Sequence, residues 1–224
     1  MQIQVMLSLA FKAAYLELLP RFEQESGLGV ATTFAGGAEI AKRLRAGEDT
    51  DLVIMAAKGI DELIAEGLLA NGSRVDLVRS KIGAAVKAGA ARPDISNAAA
   101  LRKTLDAAKS IAYSSGPSGV YLAELFRKWE LPPAKLHQTA PGMPAGDIVA
   151  SGQCEIGFQQ ISELLPVKGI DYIGPLPEEL QLVTIFSAAT SARAKNAGPA
   201  RALTRYFTSS GIAATLAKHG LDPA

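Results

Sequence analysis

"GVATTFAGGAEIAKRLRAGEDTDLVIMA", residues 29–56, packs a strand, a helix and a second strand into one short span. "GVATTF" alternates and is β-branched, Ile40, Ala41 and Leu44 recur at helical spacing, and "DLVIMA" is a nearly unbroken apolar run. Gly36 and Gly37 stand where the first strand meets the helix. A glycine there costs conformational entropy, but the missing Cβ lets a ligand approach the unpaired amides of the helix's first turn. Such amides attract anions.

The same rhythm extends outward on both sides. "IQVMLSL" reads as a strand, "FKAAYLELLPRFEQESG" as a helix stopped by Gly27, and "IDELIAEGLL" as the helix after the third strand. Three alternations predict Ile3–Ser8, Val30–Phe34 and Leu52–Met55 as parallel strands of one sheet with helices on both faces.

Between residues 80 and 105 the rhythm breaks and restarts: a short Gly-Ala strand, a stop at Pro93, and a helix for which Ser96 is the expected cap. "SIAYSS" then reads as a strand and "GVYLAELFRKWEL" as a helix with Val120, Leu125 and Trp129 on its buried side. "GDIVASG" reads as a helix, "EIGFQQ" as a strand, and "GPARALTRYFTSS" and "GIAATLAKHG" as two closing helices. This order predicts two α/β lobes, residues 1–81 plus 188–224 and residues 82–187, joined by two hinge crossings with a cleft between them.

Four strand-to-helix junctions carry small or polar residues: "SLAFKAA" (8–14), "FAGGAEI" (34–40), "YSSGPSGVY" (113–121) and "TAPGMPAGD" (139–147). With the end of "EIGFQQ" they supply the candidate ligand-binding residues Ser8, Ala10, Lys12, Gly36, Gly37, Ser115, Ser118, Gly119, Gly142, Gln159 and Gln160. Ordinary helix capping explains any one junction better than binding does, and Gly36-Gly37 fits neither the dinucleotide fingerprint nor the phosphate loop ending in Lys-Ser/Thr. Four junctions where a two-lobed fold needs them favour binding.

Composition narrows the partners. A chain of 224 residues, 48% hydrophobic and 20% charged with formal charge +1, buries a full core and offers no basic field for nucleic acid. The lone Cys154 excludes a disulfide framework or a cysteine-built zinc site, and His137 and His219 lack ligand spacing, so both read as structural and no metal or cofactor is expected. No stretch is apolar over a membrane-spanning length, and no insertion is expected. The N-terminal sequence carries no leader signature, so the expected location is cytoplasmic as written, or periplasmic if a leader has been removed.

Residues 22–56, together with "PSGVYLAELF", "VASGQCEIGFQQ" and "ALTRYFTSSGIAATLAKHGLDPA", resemble the molybdate-type solute-binding proteins. The resemblance covers nearly the whole chain and implies a type 2 periplasmic-binding-protein fold, a small anionic ligand and, for an exported protein, an ABC permease as partner. It also implies that Ala10 and Gly37 stand where molybdate binders place serine hydroxyls, and that Gln160 falls at or near a family tyrosine. Loss of hydroxyls and gain of amides points to an organic carboxylate rather than molybdate.

"FKAA", "RPDIS", "QQISELLPV" and "GPLPEELQ" further resemble a molybdate-like subfamily that includes aconitate isomerase, which implies an enzyme moving a double bond in a tricarboxylate. That chemistry needs partners for carboxylates and a group that takes and returns a proton. Lys12 is the candidate for pairing a carboxylate or, if desolvated, for acting as base; Glu163 in "QQISEL" is the acidic candidate. Three functions stand at this point: a carboxylate-binding receptor, an isomerase of unsaturated carboxylic acids, and a stand-alone sensing domain.

Overall fold

The computed structural model describes residues 2–224. In chain order the elements are β1 (Gln2–Leu7), α1 (Lys12–Ser26), β2 (Gly29–Phe34), α2 (Gly37–Arg45), β3 (Leu52–Ala56), α3 (Ala57–Ala65) and β4 (Val75–Ser80). Then come β5 (Ile82–Lys87), α4 (Ala98–Ala107), β6 (Ile111–Tyr113), α5 (Pro117–Lys128), β7 (Leu136–Gln138), α6 (Ala145–Ala150), β8 (Ile156–Gln160), α7 (Ile161–Leu164) and β9 (Ile170–Pro175). The chain closes with β10 (Thr184–Thr190), α8 (Ala197–Phe207), α9 (Ala213–Lys218) and β11 (Leu221–Pro223).

Two compact units result, one running up to Arg79 and resuming over Thr184–Ala224, the other spanning Ser80–Val183. The first holds a six-stranded sheet in the order β11-β4-β10-β3-β1-β2. As the alternation predicts, β1 runs parallel to both β2 and β3. Leu7 pairs with Phe34 on one side and Ile54 on the other, so the three carboxyl ends finish in one row. Ile3, Val5 and Leu7 face the cluster built with α1, α8 and α9, while Met6, Val53 and Met55 face the one built with α2 and α3. Burial on both faces is what a parallel sheet demands of its strands. Each fully buried Leu, Ile or Phe contributes about 1.5–3 kcal/mol.

β10 runs antiparallel to β3, with Phe186 opposite Ala56, an insertion that the local alternation does not foretell. Asp51 ties this arrangement together from a buried position, its carboxylate accepting from the Gln4 and Asn196 backbone amides and the Asn196 side chain.

The second unit has a five-stranded sheet, β7-β6-β8-β5-β9. β6 is parallel to β7 and β8, whereas β5 is antiparallel to β8 and β9. α4 and α5 cover one face through Leu101, Leu105, Leu122 and Phe126, and α6 covers the other through Ala145 and Val149.

Two expectations are corrected here. Val120 is 58% exposed; the buried face of α5 is Leu122, Leu125 and Phe126, because the step of five from Val120 to Leu125 departs from the helical period, and Trp129 is only partly buried. The cap of α4 is Asn97 rather than Ser96: the Asn97 side-chain oxygen accepts from the Ala100 amide at 2.9 Å, while the Ser96 amide donates to Asp94.

Candidate functional site

In the first unit the row ending at Leu7, Phe34 and Ile54 delivers three helix starts to one edge of the sheet. The Ser8 amide donates to Ile54 O at 2.8 Å and the Ala35 amide to Leu7 O at 3.2 Å, which holds the three junctions in register. Ser8 is buried, and its hydroxyl has no hydrogen-bond partner. A buried hydroxyl left unpaired costs about 1–3 kcal/mol, so it marks a place where a polar partner belongs.

α2 begins at Gly37 after the N-cap Gly36, and no side chain caps it. Its first-turn amides therefore have no protein side-chain acceptor from the cap position. A Cβ at Gly37 would stand 3.2 Å from the Met55 methyl, the far end of a flexible side chain. Met55 is a neighbour of this junction that the sequence did not single out.

Ala10 is buried in the aromatic and aliphatic cluster with its methyl in the core. Lys12 is exposed, its ammonium 5.0 Å from the centre of the Phe34 ring. An exposed ammonium at this place suits pairing with a carboxylate. On the inner side of the same helix Tyr15 and Thr32 share a hydroxyl–hydroxyl hydrogen bond of 2.5 Å, and burial pushes the Tyr15 phenol up to about 12.

In the second unit Tyr113 pairs with Gln138 and Phe158, so Ser114, Thr139 and Gln159 follow side by side at the carboxyl edge. α5 starts at Pro117 after Gly116, again without a side-chain cap. Ser118 is buried and its hydroxyl bonds that of Ser114 at 2.9 Å; Ser115 is half-buried. Gly119 is compelled by packing, because a Cβ there would meet the Ser114 carbonyl oxygen. Gly142 lies exposed in the loop before α6 at φ +82°, where the turn itself requires glycine. Thr139 and Ser162 are buried with unpartnered hydroxyls, a feature no sequence signal marked beyond the presence of Thr139 in its junction.

Gln159 and Gln160 are both buried, and Gln160 is the N-cap of α7. The Gln159 amide oxygen accepts from the Ala145 backbone amide at 2.7 Å and so closes the first turn of α6. Glu163 lies one helical turn beyond, in α7. Burial raises its carboxyl to about 7 against the opposing hydrogen bond of the Gln159 amide. The second unit thus contains a carboxyl group that burial raises well above its ordinary range, in a helix that follows β8.

Cys154 is a free, buried thiol pushed upward by burial, and His219 meets Glu17 at 2.8 Å on the surface. Among the described residues no cluster of three or more His, Cys, Asp or Glu could hold a metal, and no helix is long and apolar enough to cross a membrane.

Bacterial extracellular solute-binding protein is the description of the family that matches residues 3–222. The chain belongs to that family. This solute-binding-family chain is 39% identical over 215 residues to an aconitate isomerase from a Pseudomonas species, covering 92% of this chain and 82% of that protein. Its fold is similar to the periplasmic molybdate-binding protein of Azotobacter vinelandii, with a TM-score of 0.81 at 15% identity over 98% of both chains. It is also similar to a sulfate-binding protein of Mycobacterium tuberculosis, with a TM-score of 0.79 at 18% identity, over 100% of this chain and 87% of the other. Two-lobed architecture of the type 2 periplasmic-binding-protein kind, expected from the alternation of elements, is therefore the fold of this family member.

Proposed function

We propose that this chain binds a small unsaturated polycarboxylate and shifts its double bond, an allylic proton transfer like that of an aconitate isomerase. The reading is carried by the likeness to an aconitate isomerase over most of the chain, together with Glu163 of α7, a carboxyl that burial raises to about 7 beside the Gln159 amide. A general base that must return what it takes works best with its pKa near the ambient pH. The 39% identity to an aconitate isomerase supports the same reading.

In this reading the ionised Glu163 takes a proton from the carbon next to a substrate carboxylate. The double bond moves by one position, and the same carboxyl returns the proton at the far end of the allyl unit, leaving the formula unchanged. Electron density delocalises onto the substrate carboxylate during the transfer, so that carboxylate needs donors. The proposed donors beside Glu163 in the second unit are Ser115, the amides of Ser118 and Gly119, and Gln160; in the first unit, the amides around Gly36 and Gly37, the Ser8 hydroxyl and Lys12 are proposed as donors to a carboxylate.

The test is incubation with trans-aconitate followed by proton NMR. Conversion by the wild type and a loss of about 100-fold or more in Glu163→Gln support the isomerase. Calorimetric binding of trans-aconitate with no conversion by the wild type would replace it with the receptor reading, which the solute-binding family supports. The partner would then be an ABC permease and the site of action the cell exterior.

A further inference from the structure

We propose that Gln159 is a positioning residue that orients the Glu163 carboxyl and confines its proton to one oxygen. The inference rests on the isomerase reading of Glu163, and its basis is the geometry of a single amide group. A backbone N–H can only donate, so the Gln159 atom that meets the Ala145 amide at 2.7 Å is the side-chain oxygen. The NH2 end is thereby the end that meets Glu163. Because Gln159 is buried at 3% exposure in β8, flipping the amide would strip the Ala145 amide of its acceptor and set two donors, its NH2 and the Ala145 N–H, face to face.

An NH2 group donates and never accepts, so the carboxyl oxygen it meets has to remain an acceptor in both protonation states. When Glu163 is neutral its proton therefore resides on the other oxygen. Gln159 thus selects the oxygen that gives and takes the proton, while its far end is anchored to the first turn of α6.

The charged and titratable groups around α7 leave this role to Gln159. Asp147 on α6 and Lys87 at the end of β5 are exposed, Lys81 precedes β5, Lys168 follows α7, and Tyr172 lies on β9 against Gly83. Burial raises the Glu163 carboxyl and the Gln159 amide opposes that rise.

The experiment uses the full chain, labelled for NMR and without ligand, titrated from about pH 5 to about pH 9, the range over which a carboxyl near 7 changes state. In the wild type the Gln159 side-chain amide and Ala145 backbone amide resonances should move with the same midpoint as the Glu163 carboxyl carbon. Gln159→Glu keeps an acceptor for Ala145 but places a like charge beside Glu163, and should raise the Glu163 midpoint by about one pH unit or more. The limb of the kcat/KM profile for trans-aconitate that reports the ionised carboxyl should move upward by the same amount. Wild-type Gln159 resonances that ignore the Glu163 transition, or equal midpoints in wild type and variant, would overturn the positioning role. Undiminished turnover in Glu163→Gln would instead remove Glu163 as the group that carries the proton, while the shared midpoint in the free protein decides the positioning role independently.

Discussion

Gly119 lies so tightly against Ser114 that a Cβ on it would stand 1.5 Å from the Ser114 carbonyl oxygen and 2.5 Å from the carbonyl carbon. Both atoms are backbone, so no side-chain rotation relieves the overlap. Gly119→Ala should cost about 3 kcal/mol or more, read as a lower urea midpoint, because the start of α5 must move away from the end of β6. Gly116→Ala is the control: its nearest neighbour is 3.9 Å away, and the loss should stay below about 1 kcal/mol.

Glu163 predicts a pH dependence of stability with a definite sign. Its folded carboxyl titrates at about 7 against a reference value of 4.5, so between these values the native state binds more protons than the unfolded one. Stability should fall as pH rises through that window and level off above it, by ~3 kcal/mol at most for this group. Urea unfolding of wild type and Glu163→Gln across the window checks this: the difference between the two should shift steadily in favour of the glutamine variant as pH rises.

Gly37→Val should separate binding from folding. The added side chain meets the Met55 methyl at 3.2 Å, and that methyl can rotate aside, so the protein should remain folded within about 1–2 kcal/mol of the wild type. The valine would nevertheless cover the first-turn amides of α2. Calorimetric titration with trans-aconitate should show binding weakened by at least about 100-fold, the loss expected from two charge-assisted hydrogen bonds.

Lys12→Met retains an apolar stem over Phe34 and removes the charge. It should leave the unfolding midpoint almost unchanged, since an exposed cation over an aromatic ring contributes about 0.5–1 kcal/mol. Carboxylate affinity should drop about 5- to 10-fold, more at low than at high salt, as measured by the same calorimetry. Molybdate and tungstate should give little or no heat with the wild type, because Ala10 and Gly37 present no hydroxyl at these two junctions.

The candidate site was legible in unequal parts. Gly36 and Gly37 announced a helix opening without a side-chain cap, and α2 opens that way. Gly119 was legible only as a small residue at a helix start; its obligation comes from the Ser114 carbonyl, which sequence spacing does not reveal. Glu163 in "QQISEL" reads equally as a solvated first-turn acid. What distinguishes it is packing against β5, β8 and α6, the first of which begins at Ile82, far back in the chain.

By itself the sequence determined the alternation of strands and helices, the parallel trio β1, β2 and β3, and the small-residue junctions at their carboxyl ends. These are recorded within windows of about ten residues, where apolar side chains repeating every 2 or 3.6 positions dictate which face is buried. Tertiary structure alone decided that β10 inserts antiparallel beside β3, that Val120 stays exposed, and that Gln159 meets Ala145 on one side and Glu163 on the other. Those outcomes depend on contacts between segments distant in the chain, and the protonation of Glu163 depends on the low-dielectric surroundings that such contacts create.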